Sequence, residues 1–453
     1  MKFDHHNISP LDSRYANKIS NFRENFSESA LIKIRFEIEI EWILFLCNKL
    51  PKIFKPLSKT SIEKIINFKN KFDNKSVLQI KKIEATTNHD VKAVEYFIRD
   101  YFKNDKVLSS YIHLIHFGLT SEDINSLSYA VMIKNGISLY IDEITTINKI
   151  LKSYSKKWAN VAFLARTHGQ PASPSTLGKE FKVFAARLDR EISILKKVKP
   201  LAKFSGATGN YHTFSIVDSK INWSQINNKF IRQFLVSQNK YTTQIEPHDW
   251  IAETCHSLIR INNILTDLCQ DSWIYISNDI FALKLLKDEV GSSTMPHKVN
   301  PIDFENAEGN LGISSALLDF FANKLTISRH QRDLSDSTVL RNIGLGFGYS
   351  ALAIKSANNG LNKITPNKII IENELNDNWE VLTEAVQTVM RYEGITDAYE
   401  QLKNLSRGSK LDKESYINFI NSLKISDQSK NKLLNLKPSL YIGNAKDIAK
   451  SSY

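Results

Sequence analysis

The sequence predicts a mainly α protein built around a central bundle of long helices, and three patterns carry that prediction. Leu258, Ile261, Leu265, Leu268, Ser272 and Tyr275 recur at alternating steps of three and four, the seam of a long helix packed against parallel neighbours. Phe36, Ile40, Ile43, Cys47 and Leu50 repeat that spacing nearer the N-terminus. Period-2 alternation bounded by Asn-Gly or Asp-Gly turns, the mark of β-hairpins, is hard to find.

At 453 residues and 42% hydrophobic content the chain exceeds one core's usual size. Three domains are expected: an N-terminal helical domain over 1–110, a central helical bundle over 111–362 and a C-terminal helical domain over 363–453. Thr365-Pro366 marks the last change, because a residue before proline is pushed out of the helical region.

Taken in chain order, Thr120 and Asp123 fit a capping box, which puts Thr120, Ser121 and the following amides at a helix N-terminus able to hold an anion. Ser173 and Pro174 read as the N-cap and first position of a helix running towards Lys199, leaving His168 in the loop before it. Asn300 reads as an N-cap and Pro301 as the first helical residue, with Asp303 and Glu305 at the positive end of the helix dipole. GLGFG at 344–348 follows no strand and reads as close helix packing.

Composition narrows the function. No run of eighteen apolar residues occurs, and MKFDHHNISP has neither a basic nor an apolar signal region, so a cytoplasmic protein with no membrane partner is expected. Cys47, Cys255 and Cys269 fall in apolar helical patterns without CxxC spacing, which implies neither disulfide nor metal. The net charge of +12 comes from lysines scattered among Asn and Ile rather than gathered in a stripe. They read as solvated helix faces, and no nucleic-acid partner is expected.

The most informative stretch is GSSTMPHKVNPIDFEN at 291–306, where a Gly-Ser-Ser hinge leads into a helix start beside Lys298. Free amides and a lysine there attract an anionic substrate, while Ser292 and Ser293 offer hydroxyls on a backbone that Gly291 leaves mobile. Residues near 285–297 are therefore expected to move without ligand and to order upon it. Hydrogen exchange slowed by substrate in this segment is the expected result, and equal rates with and without substrate would reject it.

This stretch resembles the signature of the fumarase/aspartase superfamily, whose members split a C–N or C–O bond beta to a carboxylate and release fumarate. His297 after Met-Pro is similar to the adenylosuccinate lyase branch. So are RY at 14–15, TTNHDVKAVEYF at 86–97, TSEDIN at 120–125, RTHGQPASPST at 166–176, TTQIEPHD at 242–249 and STVLRN at 337–342. Their order and spacing resemble the long bacterial type over essentially the whole chain. The resemblance implies a three-domain superfamily fold and a cofactor-free homotetramer whose active sites are shared between subunits. It also implies fumarate elimination from adenylosuccinate, giving AMP, and from the succinylated aminoimidazole carboxamide ribotide (SAICAR), giving its amide (AICAR), both in purine synthesis.

Eliminating fumarate needs a base for the Cβ proton, an acid for the departing nitrogen, and positive groups on the carboxylate that gathers charge. By resemblance Ser292 is the base, His168 the acid, Glu305 the group that orients the acid's imidazole, and Lys298 with Asn300 the carboxylate stabilisers. The nucleotide contacts it nominates are Arg14, Tyr15, Arg332, Ser337 and Arg341, with Asn88, His89, Asp90 and His116 nearby. Thr120, Ser121 and Gln244 face the succinyl group or the amine, and Ser293, Val299, Asn306, Thr338, Val339 and Leu340 complete the substrate-binding set. Two other readings stay open on the residues alone: a superfamily lyase for argininosuccinate, aspartate or malate, and a catalytically silent or nucleic-acid-binding helical scaffold.

Overall fold

Four long helices, Ser121–Lys157, Asp249–Ser277, Ile302–Leu325 and Ile343–Lys363, dominate the chain. The computed structural model describes residues 6–284, 294–295, 297–406 and 411–452. With 67% helix and 5% strand, the mainly α prediction holds. The chain divides into two units, each gathered from three stretches. Met1–Glu143, Ile192–Asn262 and Asn310–Leu352 form the first, and Ile144–Glu191, Asn263–Gly309 and Ala353–Tyr453 the second.

Within the first unit the four long helices are locked by a chain of buried polar groups. Tyr140 OH meets Ser350 Oγ at 2.9 Å, Ser350 Oγ donates to Asn262 Oδ1 at 2.6 Å, Asn262 Nδ2 donates to Ser314 Oγ at 3.0 Å, and Ser314 Oγ donates to the Gly346 carbonyl at 2.7 Å. Every one of the four helices supplies a link, the last supplying both Ser350 and Gly346, so a slip of any one orphans a buried polar atom, a cost that fixes register. Close approach is helped by the glycines of GLGFG. A Cβ on Gly344 would strike Phe26, and one on Gly346 would strike Leu318. Beside the bundle, Trp42 packs on Phe204 and Phe230 at 5.1 and 4.9 Å and donates from Nε1 to the Phe117 carbonyl at 3.0 Å.

The predicted seam is buried at Leu258, Ile261, Leu265, Leu268 and Ser272, and the N-terminal stripe Phe36, Ile40, Ile43 and Cys47 lies in the helix Glu28–Lys49. All three cysteines are free and buried. No helix of the described residues is long and apolar enough to cross a membrane.

In the second unit Tyr154, Trp158, Phe181 and Phe281 form an aromatic core, with Trp158 4.1 Å from Tyr154 and 5.2 Å from Phe181. Two departures from the sequence reading fall here. Ser173 and Pro174 do not start a helix. They belong to the strand Gln170–Thr176, paired antiparallel with Ala162–Thr167, and the helix starts at Leu177 and stops at Leu195, short of Lys199. The register slips between Phe163 and Ala165, opposite Ser173-Pro174, and such a bulge tolerates a residue with no N–H to donate. The helix cap is Thr176, whose Oγ1 accepts from Lys179 N at 3.2 Å. Helical content over 111–362 is thus interrupted. Gly178 sits where a Cβ would collide with the backbone of Ser155 and Ala159, so the helix seats tightly at the base of the hairpin. The second departure is smaller: the helix expected from Pro301 runs Ile302–Leu325, because the Pro301 carbonyl itself accepts from Phe304 N at 3.0 Å.

Candidate active site

Among the first unit's candidates, Thr120 and Ser121 stand at the start of the helix Ser121–Lys157. The Asp123 carboxylate accepts from Thr120 N at 2.9 Å, which is the capping bond the sequence predicts. It also accepts from Ser205 N at 2.9 Å, from Gly206 N at 3.1 Å and from Lys203 Nζ at 2.6 Å. Asp123 and Lys203 are both fully buried. Their pairing therefore ties the Thr120-Ser121 corner to the segment around Gly206, whose φ of +82° suits glycine.

One residue along, Glu122 is buried and pairs with the Arg332 guanidinium at 3.0 Å. Arg332 also donates to Gln244 Oε1 at 3.4 Å, so two predicted substrate residues meet directly. Burial pushes the Glu122 carboxyl up to about 7, with Arg332 opposing and Asp336 adding to the rise. Glu122, His248 and Asp336 bring ligand atoms within 4.8 Å of one another, and Arg332 supplies positive charge there.

A second group surrounds Asp90. Asn88, in the left-handed region at φ 51°, ends the helix Asn74–Thr87, and His89 caps Asp90–Lys103 by accepting from Lys92 N at 3.2 Å. Asp90 accepts from Arg341 at 2.6 Å and pairs with the buried Arg35 at 2.9 Å. Burial alone would raise the Asp90 carboxyl, but Arg35, the Val91 amide and Arg341 outweigh it and hold the carboxyl below its ordinary value. Arg341 further grips Glu28 at 3.0 Å, so its guanidinium is engaged by two carboxylates. A cavity of about 760 Å³ opens beside Arg341, within the size range of small-molecule sites.

His116, at φ 60°, is held by Glu39 twice: through its backbone N at 3.0 Å and its Nδ1 at 2.6 Å. Burial disfavours its charged form, yet Glu39 and Glu95 win and raise the imidazole above its ordinary value. Arg14 is exposed, with its guanidinium 5.6 Å from the Tyr15 ring. Ser337, Thr338 and Val339 lie on the short helix Ser335–Leu340. Leu340 is buried at its end.

The second unit holds the chemistry-bearing candidates. His168 and Gly169 form the two-residue turn of the hairpin, at φ of 53° and 74°, and the imidazole stands exposed at the tip. Positive φ at both central positions is the hairpin-turn geometry, and histidine tolerates it better than most residues. Arg166 pairs with Glu374 and Ser173 bonds Glu384, which brace the ribbon behind it. Glu305 is exposed on the first turn of its helix and accepts from Trp273 Nε1 at 3.1 Å. Neighbouring Asn306 accepts from Ser356 Oγ at 2.7 Å. Lys298 and Asn300 are exposed, Val299 is half-buried, and Lys298 N donates to the Met295 carbonyl at 3.1 Å. Gly291, Ser292 and Ser293 lie outside the described residues.

Sequence reasoning passed over Arg35, Glu39, Glu122, Asp123's link to Lys203, and Asp336. Glu122 and Asp123 were in plain sight within TSEDIN, but only the fold shows what they hold.

The chain's fold is that of the fumarate lyase class. It superposes on a fumarate lyase from Mesorhizobium sp. BNC1 with a TM-score of 0.79 at 17% identity, covering 95% of this chain and 96% of that one. The 3-carboxy-cis,cis-muconate lactonizing enzyme from Pseudomonas putida gives 0.75 at 18%, covering 95% of each chain. Residues 13–313 match the Lyase family model and 328–442 the adenylosuccinate lyase C-terminal model. Adenylosuccinate lyases from Legionella pneumophila (strain Corby) and Escherichia coli (strain K12) are 48% and 43% identical over 449 and 440 residues, covering 98% and 97% of this chain and 98% and 96% of theirs. The chain belongs to the adenylosuccinate lyase family of the fumarase/aspartase superfamily, and it is a lyase.

Proposed function

We propose that this chain removes fumarate from adenylosuccinate, leaving AMP, and from SAICAR, leaving AICAR. The observation that carries the reading is the near end-to-end similarity to the Legionella adenylosuccinate lyase, 48% over 449 residues. Ser292 takes the proton from Cβ as the C=C bond forms, the C–N bond breaks, and His168 delivers a proton to the departing nitrogen. Charge gathers on the neighbouring carboxylate, where Lys298 and Asn300 stabilise it, with Thr120 and Ser121 at the succinyl group.

His168's exposure at a ribbon tip supports an acid that meets its substrate and Glu305 only within an assembled site. The working form is accordingly a homotetramer with shared sites, acting in the cytoplasm. Its organisation is three domains, bounded near residues 110 and 362. The nucleotide end falls to Arg14, Tyr15, Arg332, Ser337 and Arg341, since arginine grips phosphate in two-pronged fashion.

An absorbance assay tests the assignment: the purified chain turns over adenylosuccinate and SAICAR, and leaves argininosuccinate, aspartate and malate untouched. Turnover of one of those three without cleavage of adenylosuccinate would overturn it.

A further inference from the structure

Four side chains from three distant stretches of the first unit meet behind the start of the helix Ser121–Lys157. Glu122, His248 and Asp336 are 2%, 3% and 5% exposed. The Arg332 guanidinium enters among them, 3.0 Å from Glu122 Oε2 and 3.5 Å from Asp336 Oδ1, and its other arm reaches Gln244 Oε1 at 3.4 Å.

As a purely structural device this arrangement is expensive. Two buried carboxylates around one guanidinium lose their hydration, and an apolar packing of equal volume often serves stability as well or better. The network is also unfinished. Among the described residues Arg332 Nε and Asp336 Oδ2 are buried without a hydrogen-bond partner, and such orphaned atoms call for an explanation. His248 does not add a second positive charge, because burial pushes its imidazole below the ordinary value although Asp336 pulls the other way. What the carboxylates do supply is aim. A free arginine has many rotamers to give up when it captures an anion, whereas one held from behind presents its fork ready-placed.

We infer that Glu122 and Asp336 are positioning residues, which fix the Arg332 guanidinium and through it the Gln244 amide in the orientation that meets the substrate. This rests on the proposed role of Arg332 and Gln244 as substrate contacts. Glu122 stands one residue after Ser121 on the first turn of that helix and holds the Arg332 guanidinium from there.

The test is a double-mutant cycle on the full chain, read as KM and kcat for adenylosuccinate with wild type, Glu122→Gln, Arg332→Gln and the double variant. Arg332→Gln raises KM. Glu122→Gln, of the same shape but uncharged, raises KM about ten-fold with a smaller change in kcat, since misplaced binding groups cost on this scale. In the double variant the Glu122 effect disappears, because a residue acting through Arg332 has nothing left to act on. An equal KM penalty in both backgrounds, or none in the wild-type background, overturns the inference while leaving Arg332 as a contact. An unchanged KM in Arg332→Gln removes that contact and the inference with it. If Glu122→Gln does not fold, Asp336→Asn enters the same cycle, and an additive result there is equally fatal.

Discussion

Replacing Ser292 by alanine lowers kcat for adenylosuccinate cleavage by on the order of 10²–10⁴-fold with little change in KM, the signature of a group that acts only in the transition state. The size follows from how poor a base an alcohol is. An alcohol is about as weak an acid as water, so a standing alkoxide at pH 7 costs about 12 kcal/mol. One charge-assisted hydrogen bond, such as Lys298 could donate, returns only about 1.5–3 kcal/mol. On the proposed mechanism the hydroxyl is activated as substrate binds, with proton removal coupled to charge gathering on a carboxylate held by Lys298 and Asn300. Steady-state absorbance kinetics on wild type and variant check this, and a near-normal kcat would reassign the base.

Lys203→Met should be the most destabilising of the single substitutions considered, by about 3–5 kcal/mol, because it strands a buried carboxylate. Asp123 and Lys203 have no exposed side-chain surface, and their 2.6 Å contact is reinforced by the Gly206 carbonyl, which also accepts from Lys203 Nζ at 2.6 Å. The Asp123 carboxylate cannot turn to water for compensation. The informative comparison is with Asp123→Asn/Lys203→Met, which removes both charges and keeps one oxygen, enough for the amides on one side of the Asp123 carboxylate but not for Thr120 and Ser205 together, which bond different oxygens. Urea denaturation of wild type, Lys203→Met, Asp123→Asn and the double variant should show the double variant losing less than Lys203→Met alone. If the double variant instead loses the sum of the two single changes, the charges are not coupled and the account of this corner is wrong. A loss of binding in Lys203→Met at temperatures where the protein remains folded would further tie the pair to the Thr120-Ser121 corner.

Where the sequence reading failed, it failed at turns and at contacts between remote residues. The hairpin of 162–176 went unseen because its turn is His-Gly rather than Asn-Gly, and because Ser-Pro more often opens a helix than occupies a bulge. Helix starts at 121 and near 301 were legible, since a cap is written within four consecutive residues. Arg341 was legible as a cation but not as one already engaged by Glu28 and Asp90.

The sequence by itself determined the helical class, the buried seam, the capped N-terminus at Thr120 and the family motifs, because each is a short-range pattern imposed by helix geometry or by runs of neighbouring residues. Only the tertiary structure decided that His168 stands at a ribbon tip, that Lys203 neutralises Asp123 from 80 positions away, and that Glu122 and Asp336 close around Arg332. Such pairings depend on which helix faces pack together. That is settled by the burial of many side chains at once, and no local stretch of the chain encodes it.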